Sequence, residues 1–179
     1  MPLALSAFVA TACSEKKPDK DIITHKEVKK APAKPTRMQN YDHTESVEWL
    51  GKKYTVTVSR RAENDSLPVV DEAGNKYHNN RITVRITRDD GSEFFDRTFT
   101  KADFTAVAGA DYCKKSTLLG IVVDNSKGEN LSLAASIGSP DVLSDEYMPL
   151  LITISRTGAI NIVKDTRPDD AEERAEDDI

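Results

Sequence analysis

The chain has 179 residues, 25 Lys and Arg against 30 Asp and Glu, a formal net charge of −5 and only two cysteines. That length suits one domain with tails rather than two domains. The negative balance argues against a nucleic-acid partner, and two cysteines are too few for a disulfide-built scaffold.

The first element is a signal. The apolar stretch from Leu3 to Ala12 ends in small residues, meets Cys13 and turns abruptly to Ser14-Glu15-Lys16-Lys17. This is the pattern of a bacterial lipoprotein signal: residues 1–12 are removed and Cys13 carries the lipid. Two or more acyl chains hold a protein stably at about 0.8 kcal/mol per buried methylene. The stretch is too short to span a bilayer, which takes about 20 apolar residues. Ser14 is not the Asp that retains lipoproteins at the inner membrane, and Glu15-Lys16-Lys17 is not the acidic run of surface export. The expected address is the outer membrane, facing the periplasm, with the membrane as a partner through Cys13.

Residues 13–37 read as a tether. From 14 to 37 there are eight bases (Lys16, Lys17, Lys20, Lys26, Lys29, Lys30, Lys34, Arg37) and four acids (Glu15, Asp19, Asp21, Glu27), a net of +4, broken by Pro18, Pro32 and Pro35. Such a segment has too little apolar surface to offset the entropy of ordering, and its reach is roughly 30 Å.

Residues 38–164 form the domain, and their pattern has period two. Tyr54, Val56 and Val58 alternate with Thr55, Thr57 and Ser59; Ile82, Val84 and Ile86 alternate with Arg81, Thr83, Arg85 and Thr87; Met148, Leu150, Ile152 and Ile154 continue the scheme. These are half-buried strands. Pro149 has no N–H for a ladder, so the last of them is expected to begin at an edge or just after that proline. Turns fall at Gly51, Ala73-Gly74-Asn75, Asp89-Asp90-Gly91, Lys127-Gly128 and Thr157-Gly158, and tight connections make sequential strands antiparallel neighbours. One short helix is expected over 101–108, with Thr100 as its cap, Asp103 in its first turn and Gly109 as its stop. Further strands run through Leu118 to Val122, Leu131 to Ser136, Tyr147 to Arg156 and Ala159 to Lys164. Residues 165–179, with eight acids and two bases, read as a disordered acidic tail.

The expected class is therefore all-β, an up-and-down antiparallel meander of eight or nine strands closing into a small barrel, with a two-layer β-sandwich as the alternative.

The stretches Pro35-Thr-Arg-Met-Gln-Asn-Tyr41, Glu48-Trp-Leu-Gly-Lys-Lys-Tyr-Thr-Val-Thr-Val-Ser-Arg60, Arg81-Ile-Thr-Val-Arg-Ile-Thr-Arg88, Asp90-Gly-Ser-Glu-Phe-Phe-Asp-Arg-Thr-Phe-Thr-Lys-Ala-Asp-Phe104 and Ile154-Ser-Arg-Thr-Gly-Ala159 resemble a family of uncharacterised Bacteroidetes lipoproteins built on a domain of unknown function. The resemblance covers most of residues 35–164. It implies a secreted, lipocalin-like β-meander with a cell-envelope address, and it lends no catalytic residues.

Candidate sites are few. His25, His43 and His78 are the only histidines, and none pairs with another at the spacing that presents two imidazoles to one metal, so neither a metal nor another cofactor is expected. Cys113 lacks a partner if Cys13 is lipidated. Lys114 and Lys115 would favour its thiolate, but no positioned base is identifiable, and a buried side chain is the expected state. Asp89-Asp90 reads as a hairpin turn and Asp145-Glu146 as loop. No phosphate loop, nucleophile elbow or metal-protease helix occurs, so an enzyme is not expected.

Arg60, Arg61, Arg81, Arg85 and Arg88 read as exposed bases. Arg81 and Arg85 share one strand face and are the candidate contact for a phosphate or sulfate group on an envelope glycan; the structural alternative pairs them with acids on the next strand. Phe94, Phe95 and Phe99 do not interleave with that face as a nucleic-acid platform would require. Ser66, in Asp65-Ser66-Leu67, resembles the O-glycosylation acceptor of exported Bacteroidetes proteins. The expected function is a non-catalytic, monomeric envelope lipoprotein acting through its surface on a protein, glycan or small-molecule partner not identified by sequence. The alternative is a binding module holding a small apolar or amphipathic ligand inside the barrel.

Overall fold

The computed structural model describes residues 34–126 and 128–167. These are mostly β. The strands are β1 (Tyr41–Trp49), β2 (Lys52–Glu63), β3 (Val69–Val70), β4 (Lys76–Tyr77), β5 (Asn79–Arg88), β6 (Glu93–Phe99), β7 (Thr117–Asn125), β8 (Asn130–Gly138), β9 (Tyr147–Ser155) and β10 (Ile160–Lys164). They form two four-stranded antiparallel sheets in the orders β1-β2-β5-β6 and β10-β9-β8-β7, plus the small β3–β4 ladder. No closed barrel is found: among the described residues the meander breaks between β6 and β7, where the helical segment lies.

The alternation seen in the sequence decides which side chains turn inward. On β2, Tyr54, Val56 and Val58 are buried; on β5, Ile82, Val84 and Ile86; on β8, Leu131, Leu133 and Ile137; on β9, Leu150, Ile152 and Ile154. All belong to one core cluster fed by both sheets. The sheets are also stitched by polar groups. The Asn80 main-chain N–H donates to Thr117 Oγ1 at 3.1 Å and Asn80 Nδ2 donates to the Leu118 carbonyl at 2.9 Å.

The helical segment closes one end of that core. It starts as a 3-10 turn at Lys101–Phe104 with a reciprocal capping box, in which Asp103 accepts the Thr100 N–H at 2.8 Å. It continues as α1 (Thr105–Ala108) and α2 (Ala110–Lys115). Gly109, at φ +89°, breaks the helix without ending the helical segment, so the single helix expected over 101–108 is longer and divided. Phe104 and Cys113 enter the core from it, Phe104 against Phe99 at a ring separation of 6.1 Å.

Pro149 departs from its expected place. It lies inside β9, between β8 and β10, opposite Ser136. Its carbonyl accepts the Asp165 N–H at 3.1 Å, so its missing donor faces the point where β10, ending at Lys164, has run out. The ladder loses only the reciprocal bond of that last rung.

Because the strands alternate in direction, the connections sort to two poles. Four tight turns, β1–β2, β5–β6, β7–β8 and β9–β10, occupy one. The other holds the β2–β5 connection with β3 and β4, the helical segment, the β8–β9 loop, the chain entering β1 and the chain leaving β10. The Asn80–Thr117 bond places both sheets with this loop pole on the same side.

Candidate functional site

The loop pole is assembled by main-chain and short polar bonds. Before β1 the chain is held by the Thr36 N–H donating to the Lys76 carbonyl (2.7 Å) and the His78 N–H donating to the Thr36 carbonyl (2.9 Å). Asn79, buried at the start of β5, donates through Nδ2 to Ser66 Oγ at 3.0 Å and to the Leu67 carbonyl at 2.8 Å. That fixes the loop backbone while the Leu67 side chain points away from the protein, 88% exposed.

The β8–β9 loop, residues 139–146, bonds to itself. The Ser139 N–H donates to the Glu146 carbonyl at 3.0 Å across its neck; Asp141 accepts the Leu143 N–H on Oδ1 and the Ser144 N–H on its carbonyl, both at 3.0 Å. These are the local side-chain-to-backbone bonds that make Asp and Ser turn formers. At the tip, Val142 and Leu143 are 87% and 88% exposed. A cleft of about 350 Å³ joins this loop to the β3–β4 turn, lined by Val70, Asp71, Glu72, Tyr112, Ser139 and Glu146 among others. Burial first, and then the negative charges of Asp141 and Asp71, push the Tyr77 hydroxyl above its usual range.

The outer face of the first sheet is polar throughout. Asp42 accepts Ser59 Oγ (2.7 Å) and both oxygens take Arg61 Nη2 (2.7 and 2.8 Å); Thr83 meets Thr98 at 2.7 Å; Arg85 Nε donates to Asp96 at 2.6 Å. Of the two arginines expected to contact a polyanion, Arg85 is thus paired with an acid on the next strand. Arg81 is exposed opposite Arg61, and its side chain has neither ion pair nor hydrogen bond among the described residues.

Arg60 and Arg61 are half-buried rather than exposed. For Arg60 the reason is parity; Arg61, on the outer face, is partly covered by Asp42. β2 continues to Glu63, so Arg60 is the next inward position after Tyr54, Val56 and Val58. Its guanidinium donates only to main-chain carbonyls, Gln39 from Nε (3.3 Å) and Nη2 (3.0 Å) and Leu119 from Nη1, and lies over the Tyr41 ring. A cleft of about 310 Å³ opens beside it between β2, β5 and β7, lined by Tyr41, Val58, Arg60, Ile82, Gly120, Ile121 and Val122. Extending the alternation two residues past Val58 would have found this side chain.

Other candidates are placed plainly. Cys113 is a free, buried thiol. Asp90 accepts the Ser92 N–H at 2.9 Å in the β5–β6 turn; hydrogen bonds from Ser92, side chain first, hold its carboxyl below the usual range. Asp145 and Glu146 are exposed in the β8–β9 loop, Ser66 is half-buried, His43 lies 3.5 Å from Glu45, and His78 Nδ1 lies 3.3 Å from the Glu63 carbonyl. Among the described residues no cluster of three or more His, Cys, Asp or Glu is arranged to hold a metal ion, and no helix is long and apolar enough to cross a membrane. Of the residues expected to form the acidic tail, 165–167 are described: Arg167 donates to Asp165 and, at 2.9 Å, to Asp124 on β7, fastening the chain across the second sheet. Cys13, the signal, His25, the tether through residue 33 and the chain from 168 lie outside the described residues.

A domain of unknown function, DUF4738, matches residues 21–162. The chain belongs to the DUF4738 family. No curated protein matches it. The DUF4738 match begins within the basic segment and ends on β10, so it takes in the helical segment, both sheets short of the last two residues of β10, and the loop pole short of the chain leaving β10.

Proposed function

We propose that this DUF4738 protein is a non-catalytic envelope lipoprotein, anchored through Cys13 to the outer membrane and facing the periplasm, that binds a protein partner with its loop pole. The finer fold in this reading is a two-layer sandwich, each sheet covering the other's apolar face. Support for surface action comes from the core, which is filled by Ile, Leu, Val and Phe side chains from both sheets and the helical segment.

The observation that carries the reading is the pair Val142 and Leu143. Two adjacent aliphatic side chains stand almost fully in solvent on a loop whose own hydrogen bonds keep them there. Leu67 and Val70 add exposed apolar surface from the β2–β5 connection at the same pole. Acids outnumber bases near them: Asp141, Asp145 and Glu146 on the same loop and Asp65, Asp71 and Glu72 on the β2–β5 connection, with Lys115 in the cleft between. An apolar tip with mostly acidic neighbours is complementary to an apolar socket rimmed by Lys and Arg.

The test uses the full chain in envelopes of its native host. With p-benzoylphenylalanine at position 143, ultraviolet light should give one discrete protein adduct, absent when the label is at position 153 on the outer face of β9. Equal or no adducts at the two positions would refute a partner-binding loop pole. Palmitate labelling that persists in Cys13→Ser would refute the anchor.

A further inference from the structure

We infer that the Arg60 cleft is a binding site for a small amphipathic carboxylate, an acid group and an apolar body of about ten non-hydrogen atoms together. This goes beyond the loop-pole reading and is independent of it, because the cleft lies between the sheets rather than on the loops.

The case begins with charge. Arg61, Arg85, Arg97 and Arg167 each lie within 3 Å of a carboxylate oxygen, at 2.7, 2.6, 2.8 and 2.5 Å respectively. Arg60 forms no ion pair among the described residues, although it is set deeper. It occupies an inward position on β2 in line with Val58, and burial pulls its pKa below the usual arginine range. A cation taken partly out of water without a counter-ion costs free energy that carbonyl dipoles offset only in part. An anion delivered by a ligand would remove that cost.

Geometry then selects the anion. A guanidinium has five N–H donors. Gln39 takes one on Nε and one on Nη2, and Leu119 takes one on Nη1. One N–H on each terminal nitrogen is left. Both are available to the two oxygens of a carboxylate.

The rest of the lining selects the body. Tyr41 and Val122 supply the accessible apolar surface, over a floor of Val58, Ile82 and Ile121 that is closed to water, and Gly120 carries no side chain. At roughly 30 Å³ per water-sized volume, a cleft of about 310 Å³ admits about ten non-hydrogen atoms. Val122, on the unpaired edge of β7, is 46% exposed and stands at the open side.

The shape of β7 has the same origin. Its register with β8 shifts between Leu118 and Gly120, a bulge that frees Leu119 from ordinary pairing, and the Leu119 carbonyl meets Arg60. The same irregularity that fixes the guanidinium leaves Gly120 at the cleft wall.

Decanoate is the probe and decanol its uncharged control, each titrated into the purified chain by calorimetry and by nitrogen-15 spectra that resolve the arginine Nε–H. Decanoate should bind at least about tenfold more tightly than decanol and shift the Arg60 Nε–H signal. Arg60→Lys, which keeps the charge but loses the paired donors, should lose most of that preference. Val122→Trp, at an exposed edge position, should block decanoate without moving the thermal midpoint, so a fold lost in the Arg60 variant does not decide the matter. Equal affinities for the acid and the alcohol, no binding of decanoate in the millimolar range, or full binding by Val122→Trp would each overturn the proposal.

Discussion

Gly138→Ala is the sharpest test of how the loop pole is built. Gly138 ends β8 opposite Tyr147, one residue before the neck bond from Ser139 to Glu146. A Cβ at this position would overlap the Glu146 carbonyl oxygen and stand 2.8 Å from Tyr147 Cα. Both obstacles are main chain, so no side-chain rotation relieves them. Either the β8–β9 pair opens at its last rung or the neck bond breaks. Overpacking of this kind costs roughly 1–3 kcal/mol and a lost hydrogen bond about 1 kcal/mol more, giving about 3 kcal/mol together. With a urea slope of about 2 kcal/mol/M the midpoint should fall by about 1.5 M. Gly120→Ala is the control, since its nearest neighbour, Ser136 Oγ, lies 4.0 Å from the added carbon; its midpoint should move by less than about 0.5 M. If the two variants unfold together, the close approach of β8 to the loop neck is not a constraint and the reasoning fails.

Two further outcomes follow from the helical segment. Burial pushes the Asp103 carboxyl up, but the Thr100 N–H and the Arg97 guanidinium outweigh it and hold the pKa below the ordinary value. The stabilisation this gives is present above the unfolded pKa of about 4 and is lost as pH falls through the lower folded value. Asp103→Asn should therefore cost about 1 kcal/mol in urea unfolding at pH 7 and much less at pH 3; an equal cost at both would show that the charge is irrelevant. Cys113 is 5% exposed on α2, so a thiol reagent should label it orders of magnitude more slowly in the native protein than in urea, and rapid native labelling would contradict its burial.

What the sequence made legible was local. The alternation over Tyr54–Val58, Ile82–Ile86 and Leu150–Ile154 marks the inward faces because a pleat has period two, and Gly51, Gly74, Gly91, Gly128 and Gly158 all adopt positive φ at the expected turns. Thr100 and Asp103 form the cap their spacing implies. How the meander would close was not legible, because the same inward and outward pattern serves one continuous sheet and two separate ones; only the pairing of β6 and β7 distinguishes them, and that is a long-range property. Gly109 was misleading for a physical reason. A glycine with positive φ ends one helix, yet Ala110–Lys115 restarts another because Cys113 has apolar space to fill behind it. Arg60 reads as an exposed base when charge is taken before parity, and Pro149 as an edge residue because its tolerance inside a sheet depends on where β10 stops. Val142 and Leu143 fall between two expected strands, and only the self-bonded loop turns them outward.

The chain enters β1 and leaves β10 at the loop pole, and this has a practical side. A label placed beside either point will crowd the loops it is meant to report on. The opposite pole is four short reversals, among them Asp89-Asp90-Gly91-Ser92 between β5 and β6, and a peptide inserted there would stand a full strand length away from everything the loops engage. For this fold, the harmless place for a label is the middle of the polypeptide.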